Sequence, residues 1–285
     1  MDQKYIDLYD RYTHGQMKRR DFLERLAVLA GGATAANALL AALQNNYAQA
    51  TIIAENDPRL LTEMVSFSVG DNKATGYLAK PTDIEKAPAV IVIHENRGLN
   101  PHIRDVARRV ALEGFVVLAP DFLSPLGGTP DDEDKARGMF DQLTPGQVTA
   151  DGTATVAFLA QHELSNGKVG AVGFCWGGGA VNDLAVNAPT LAAGVAYYGR
   201  QPKDEDVAKI RAPLLLHYAG LDERINAGID AFKAALTKDG KEFTIYIYDG
   251  VNHAFNNDTS EARYDKAAAE LAWGRTIAFF KEKLA

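Results

Sequence analysis

A single cysteine, Cys175, stands among 285 residues. That excludes an internal disulfide and any zinc cluster built on several thiolates. Basic tracts are scarce, and Lys18-Arg19-Arg20 is the one that stands out. With a formal net charge of −7 the chain is poorly suited to nucleic acid or an anionic membrane surface. The six histidines show no metal-ligand spacing. His94-Glu95 is followed by Asn96-Arg97-Gly98, so the H-E-x-x-H pattern is not completed. Internal repeats are lacking, as are the phosphate-cradling G-x-x-x-x-G-K-[ST] and G-x-G-x-x-G loops. No metal and no cofactor are expected on these grounds. What the chain has is apolar mass, 47% hydrophobic against 24% charged residues. That suffices for one large or two small domains with a substantial core.

The first fifty-odd residues differ in character from the rest. Lys18-Arg19-Arg20-Asp21-Phe22-Leu23 reads as a twin-arginine-type export signal. An uncharged stretch from Leu26 to Ala54 follows, with Ala48-Gln49-Ala50 as a candidate cleavage site. Two features point the other way. Glu24-Arg25 interrupts the approach to the apolar stretch. Tyr5, Leu8, Tyr9 and Tyr12 recur at helical spacing. The expectation is therefore a retained pair of helices over residues 1–55 and a cytoplasmic protein, with periplasmic export through Arg19-Arg20 as the alternative. No membrane span is expected, because small residues and Asn37 dominate the middle of the stretch.

Residues 56–285 read as one α/β domain. Met64–Val69 and Ala74–Ala79 form a strand pair across Gly70–Lys73, and Ala89–Ile93 is a fully apolar run suited to a central parallel strand. Further strands fit Phe115–Ala119, Val169–Val172, Ala192–Tyr198, Leu214–Tyr218 and Phe243–Tyr248. Helices fit Ile103–Glu113, a short piece within Pro130–Asp141, Val148–His162, Trp176–Asn187, Gly228–Leu236 and Glu261–Lys283, with a loop at Thr144-Pro145-Gly146. Alternation of strand and helix predicts a mostly parallel sheet with helices on both faces.

The chemistry centres on Gly173-Phe174-Cys175-Trp176-Gly177-Gly178, directly after an apolar strand. This is a G-x-S-x-G nucleophile elbow with a thiol in place of the hydroxyl. Glycines two residues before and two after let strand and helix approach a strained central residue. The helix N-terminus behind it favours thiolate. In α/β-hydrolases an acid and then a histidine follow the nucleophile. Asp222, just past the strand ending at Tyr218, and His253, just past the strand ending at Tyr248, fill that order at strand carboxyl ends, where open α/β sheets bind ligands. His253 would move the proton and Asp222 would fix its tautomer. The N–H of Trp176 would be one oxyanion donor, and the loop His94–Gly98 the source of a second. Tyr198 and Trp176 are expected to shape the pocket. A thiolate nucleophile suits a lactone, aryl ester or thioester better than an amide, because thiolate leaves more easily than amine.

The elbow, the Ile93–Asn100 loop, Ala119-Pro120-Asp121-Phe122 and the Asp222 and His253 loops resemble the dienelactone hydrolase (carboxymethylenebutenolidase) family from about Leu60 to the C-terminus. The resemblance implies a monomeric α/β-hydrolase using Cys, Asp and His on small cyclic enol esters. It also implies that Glu95 contacts the thiol and controls its ionisation, and that the Asn96 N–H is the second oxyanion donor. The chain departs from the family in substrate recognition. No arginine follows His253 until Arg263, and a second anchoring arginine would lie near Lys135–Arg137. Arg97 is a candidate anion contact instead. The expected partner is a small ester or lactone; the sequence does not fix the oligomeric state. Two other functions remain open at this point: a catalytically silent fold used for binding, and a thioesterase or general esterase. Haloalkane or peroxide chemistry would need an aspartate nucleophile or a different oxyanion geometry.

Overall fold

The computed structural model describes residues 1–47 and 51–285, so the triplet Ala48-Gln49-Ala50 lies outside the described residues. Three helices lead: α1 (Gln3–Thr13), α2 (Arg19–Ala30) and α3 (Ala33–Leu43). The catalytic domain then runs β1 (Leu60–Val69), β2 (Asn72–Pro81), β3 (Ala87–Ile93), α4 (Pro101–Leu112), β4 (Val116–Asp121), α5 (Glu133–Phe140), α6 (Pro145–Ala160), β5 (Ser165–Phe174) and α7 (Trp176–Asn187). It closes with β6 (Ala193–Tyr197), β7 (Leu214–Ala219), α8 (Glu223–Asn226), α9 (Ile229–Lys238), β8 (Phe243–Tyr248) and α10 (Lys266–Lys283).

The strands form one eight-stranded sheet in the order β1-β2-β4-β3-β5-β6-β7-β8. β1 and β2 are antiparallel to each other, and β2 is antiparallel to β4; every pairing from β4 to β8 is parallel. Side-chain alternation along β3 shows how the core divides. Ala89, Ile91 and Ile93 pack with Val156, Val181, Leu184 and Phe232 of α6, α7 and α9. Val90 and Val92 pack on the other face with Val106, Val110, Ala272 and Phe280 of α4 and α10. Both faces are buried, which is why β3 reads as a continuous apolar run. This is the α/β-hydrolase fold, and it puts the carboxyl ends of β3, β5, β7 and β8 along one edge.

Three expectations need correction. Thr144-Pro145-Gly146 is not a loop but the start of α6. Thr144 caps the helix in a reciprocal box with Gln147, and Pro145 sits at the first helical position, where no intrahelical N–H partner is needed. The last helix begins at Lys266 rather than Glu261, because Asp265 caps it by accepting from Ala268 N. The N-terminal extension holds three helices rather than two. Gly31 and Gly32, at φ 80° and 147°, break the uncharged stretch and turn α2 from α3 by 112°. Among the described residues no single helix is long and apolar enough to cross a membrane, and this bent pair meets the criterion only jointly.

The extension has its own apolar centre. Ile6, Leu8, Tyr9, Tyr12, Phe22, Leu26, Ala36 and Leu43 are buried together. Tyr12 stacks on Phe22 with centroids 4.5 Å apart. The amphipathic stripe read from α1 is thus an internal seam of the helical unit. Its outer polar groups grip the catalytic domain. Tyr12 Oη donates to Asp134 Oδ2 (2.8 Å), Arg19 pairs with the same carboxylate (3.1 Å), and Asn46 N donates to Thr259 O (2.8 Å).

Candidate active site

The turn between β5 and α7 holds Cys175 at φ 56° and ψ −113°. A non-glycine residue there is strained, and the surrounding structure must enforce it. Glycine makes the turn feasible at two positions in particular. A Cβ on Gly173 would strike the Gly177 carbonyl, and one on Gly177 would strike the carbonyl oxygens of Ile93 and His94. Cys175 N donates to Tyr197 O (3.0 Å), which ties the elbow to β6. The side chain is buried, 9% exposed, at the floor of a cavity of about 660 Å³.

His253 and Asp222 meet at this floor. His253 Nδ1 donates to Asp222 Oδ2 at 2.5 Å. The other Asp222 oxygen accepts from Ile225 N (3.2 Å) and caps α8, so the carboxylate is held by the helix it starts. The opposite nitrogen, His253 Nε2, is buried and makes no hydrogen bond of normal geometry, and a ring nitrogen of His253 lies within 4.8 Å of Cys175 Sγ.

The extension supplies a residue that the motif analysis missed. His14, following α1, places Nε2 3.3 Å from Cys175 Sγ. Its Nδ1 donates to the Asp10 carbonyl oxygen (2.8 Å) and lies 3.1 Å from Asp10 Oδ1. The two imidazoles meet edge to face, centroids 4.6 Å apart. The sulfur therefore faces two histidines, each backed by an aspartate. The signal in the sequence is the i, i+4 pair Asp10/His14 at the end of an amphipathic helix. Nothing in that spacing says that the helix docks beside residue 175.

Electrostatics follow from this convergence. Burial by itself would raise the Cys175 thiol, but His253 and His14 reverse that and bring it down to about 5. Burial opposes charge on His253, yet Asp222 and the sulfur lift it to about 10. His14 is raised in the same way by the sulfur and Asp10, against its burial. Asp10 and Asp222 are held below the usual carboxylate range despite burial, chiefly by His14 and His253 respectively. These directions favour a thiolate paired with a protonated His253, with His14 also drawn toward its charged form.

The other candidates fall in three places. Asn96, Trp176 and Tyr198 line the cavity with Cys175. Asn96 Nδ2 donates to Thr13 O (2.9 Å), joining the loop after β3 to the end of α1. Trp176 stacks on His94, centroids 5.5 Å apart. Tyr198, at φ 39°, lies 4.8 Å ring to ring from His253, and its buried hydroxyl has no partner. Burial, with Glu95 and Cys175 nearby, pushes that phenol well above its usual range, so it stays a donor.

Glu95 is buried and accepts from Asn257 Nδ2 (2.9 Å), with Arg97 Nη1 at 3.9 Å; no hydrogen bond joins it to Cys175. Arg97 does not line the cavity. It is enclosed by Glu133 (2.9 Å), Glu95 and the Tyr9 hydroxyl (3.2 Å). Arg263 is buried as well, donating to Ser260 Oγ (2.9 Å). The cavity's cations are Lys18, Arg19, Arg137, Arg200 and Arg224. Arg137 pairs with Asp134 (3.0 Å) and Arg200 with Asp183 (2.5 Å). Arg224 lies closest to the histidine, Nη2 3.5 Å from His253 Nδ1, and its nearest carboxylate oxygen, on Asp10, is 3.9 Å away.

Residues 74–284 match the model of the dienelactone hydrolase family, and residues 1–31 match a separate model described as YqhI-like. Protein usf of Aquifex pyrophilus is 38% identical over 231 residues, covering 78% of this chain and 99% of the relative. A putative carboxymethylenebutenolidase of Escherichia coli O157:H7 is 32% identical over 248 residues, 81% of this chain and 91% of the relative. Among solved structures, a putative dienelactone hydrolase from Klebsiella pneumoniae superposes with a TM-score of 0.72 at 28% identity, covering 78% of this chain and 99% of that one.

Proposed function

The chain belongs to the dienelactone hydrolase family, a family of ester-cleaving α/β-hydrolases, and from that premise we propose that it opens small lactones or activated esters through an acyl-enzyme on Cys175. The observation that carries this reading is the strained Cys175 facing a histidine whose far nitrogen is locked to a buried aspartate at 2.5 Å. The thiolate attacks the acyl carbon, and the oxyanion is taken by the N–H groups of Trp176 and Asn96. Tyr198, a protonated phenol without a partner, is placed to donate to the substrate. The His253 imidazolium gives its proton to the departing alkoxide or enolate. Neutral His253 then takes a proton from water, hydroxide adds to the thioester, and collapse of the adduct expels the thiolate. Asp222 keeps the ring in the tautomer that presents Nε2.

His14 contributes a second positive neighbour to the sulfur, and with Tyr12 and Thr13 it walls the cavity. We therefore take the extension to be part of the working enzyme, retained in the cytoplasm. Removal at the Ala48-Gln49-Ala50 triplet would strip away His14 and that wall. Arg224, the cation nearest the histidine, is proposed to meet an anionic substituent of the substrate. Glu95 is held by Asn257 and Arg97 rather than by the sulfur, so the restraint of the thiol that the family resemblance implies for it is not part of this reading.

The test is a panel of lactones, aryl esters and thioesters against wild type, Cys175→Ala and Asp222→Asn. Cys175→Ala should abolish turnover, and Asp222→Asn should lower kcat roughly a thousandfold or more with the fold intact. Near wild-type turnover by either variant would overturn the assignment.

A further inference from the structure

Two imidazoles and the sulfur share one centre, where proton transfer in ester hydrolysis calls for only one imidazole. One ring nitrogen of His14, one of His253 and Cys175 Sγ all lie within 4.8 Å of one another. We infer that they form a binding site for a divalent cation of the zinc class, and that its occupancy shuts off hydrolysis. The inhibitory consequence rests on Cys175 being the nucleophile; the site itself does not.

Four features carry the inference. First, the donors suit the metal. One thiolate and two imidazoles are soft to borderline ligands, which favour zinc over magnesium or calcium. Second, each imidazole is oriented as a metal-ligating histidine is. Its Nδ1–H is engaged, by the Asp10 carbonyl and carboxylate for His14 and by Asp222 for His253. That leaves Nε2 as the free donor in each ring. Third, His253 Nε2 is buried and makes no hydrogen bond of normal geometry, and the group it faces is the sulfur. Fourth, the spacing is near that of a bound ion for one donor pair, and the three donor atoms lie within 4.8 Å of one another, so His253 closes on the ion by about 1 Å at most as it binds. Tetrahedral zinc, with bonds of about 2.0 Å to nitrogen and 2.3 Å to sulfur, sets its donor atoms about 3.5 Å apart. His14 Nε2 and Cys175 Sγ are 3.3 Å apart.

All three residues line the cavity, so a fourth coordination position opens toward it. Three protein donors and one open position is the arrangement of a catalytic-type zinc site. Here, however, the metal would occupy the lone pairs that hydrolysis uses. Binding exchanges the protons carried by the Nε2 atoms for the ion, and those protons pass to solvent. Nearby Arg224 opposes a cation, but the Asp10 and Asp222 carboxylates that back the two imidazoles outnumber it. No linear motif spaces these ligands, which is why the sequence points to no metal; they come from residues 14, 175 and 253, brought together only by the docked extension.

The experiment is a titration of full-length, metal-free protein with Co²⁺, read by absorbance. Binding should give one equivalent, a near-ultraviolet thiolate-to-cobalt band and visible bands of tetrahedral intensity, all displaced by Zn²⁺. His14→Gln should lose the bands or bind at least tenfold more weakly. Asp10→Asn, which leaves every ligand in place, should bind about 10–100-fold more weakly. Zn²⁺ should slow ester hydrolysis over the range in which it displaces cobalt, and a chelator should restore it. Absence of the sulfur band in wild type, or an unchanged band in His14→Gln, would overturn the site. Protein that shows the bands but, when metal-free, turns over no ester would keep the site and overturn the hydrolase reading instead.

Discussion

At Cys175 the balance between burial and two neighbouring imidazoles decides the state of the sulfur. Burial favours the neutral thiol; His253 and His14 outweigh it and bring the group to about 5. Replacing His14 by glutamine removes one positive neighbour at hydrogen-bond range. The pH midpoint for alkylation of Cys175 by iodoacetamide should then move up by about 1–3 pH units. A pH–rate profile for both proteins checks this, and superimposable curves would mean that His14 does not tune the thiol. Cys175, Asp222 and His253 were legible as candidates because they share a chain order and each lies within a short loop of a strand's carboxyl end. His14 was not legible, because its partner lies 161 residues away and only the docking of α1 connects them. Arg97 shows the opposite limit. A charge in the right loop looked available for substrate, but Glu133, Glu95 and Tyr9 enclose it.

Among the elements, α2 does the most to hold the extension together. Phe22 and Leu26 are fully buried, and Phe22 stacks on Tyr12, whose hydroxyl reaches Asp134 of α5. Phe22→Ala removes this anchor, a change that typically costs about 3–5 kcal/mol of local packing. The extension should then become the first site of limited proteolysis while residues 56–285 stay protected, and the Cys175 alkylation midpoint should rise as in the His14 variant. Unchanged proteolysis and thiol reactivity would show that α1 is held by its polar contacts alone. The catalytic elements were easier to foresee than these. α7 and β8 carry the expected bounds, and β3 lies where its apolar run puts it, because burial on both faces writes an unbroken pattern. The starts of α6 and α10 were displaced, since Thr144 and Asp265 act through capping geometry that apolar periodicity does not register. The Gly31-Gly32 break that gives α3 was missed for a similar reason: backbone freedom, not hydrophobicity, sets it.

For the whole molecule, sheet topology and docked extension together make one closed centre, and its ionisation sets a pH window. Raising pH through about 5 creates the thiolate, so kcat/KM should rise there; raising it through about 10 removes the His253 imidazolium, so kcat/KM should fall. Both limbs belong to the coupled pair. A flat or inverted profile for an aryl ester would contradict the ion-pair state. The central claim is covalent catalysis by Cys175, and rapid-quench intact-protein mass spectrometry with p-nitrophenyl acetate tests it most directly. A burst of nitrophenolate should be matched by a single acetyl group, mapped to Cys175 and absent in Cys175→Ala. Steady hydrolysis with no acylated Cys175, or with the acetyl group mapped to another residue, would contradict it.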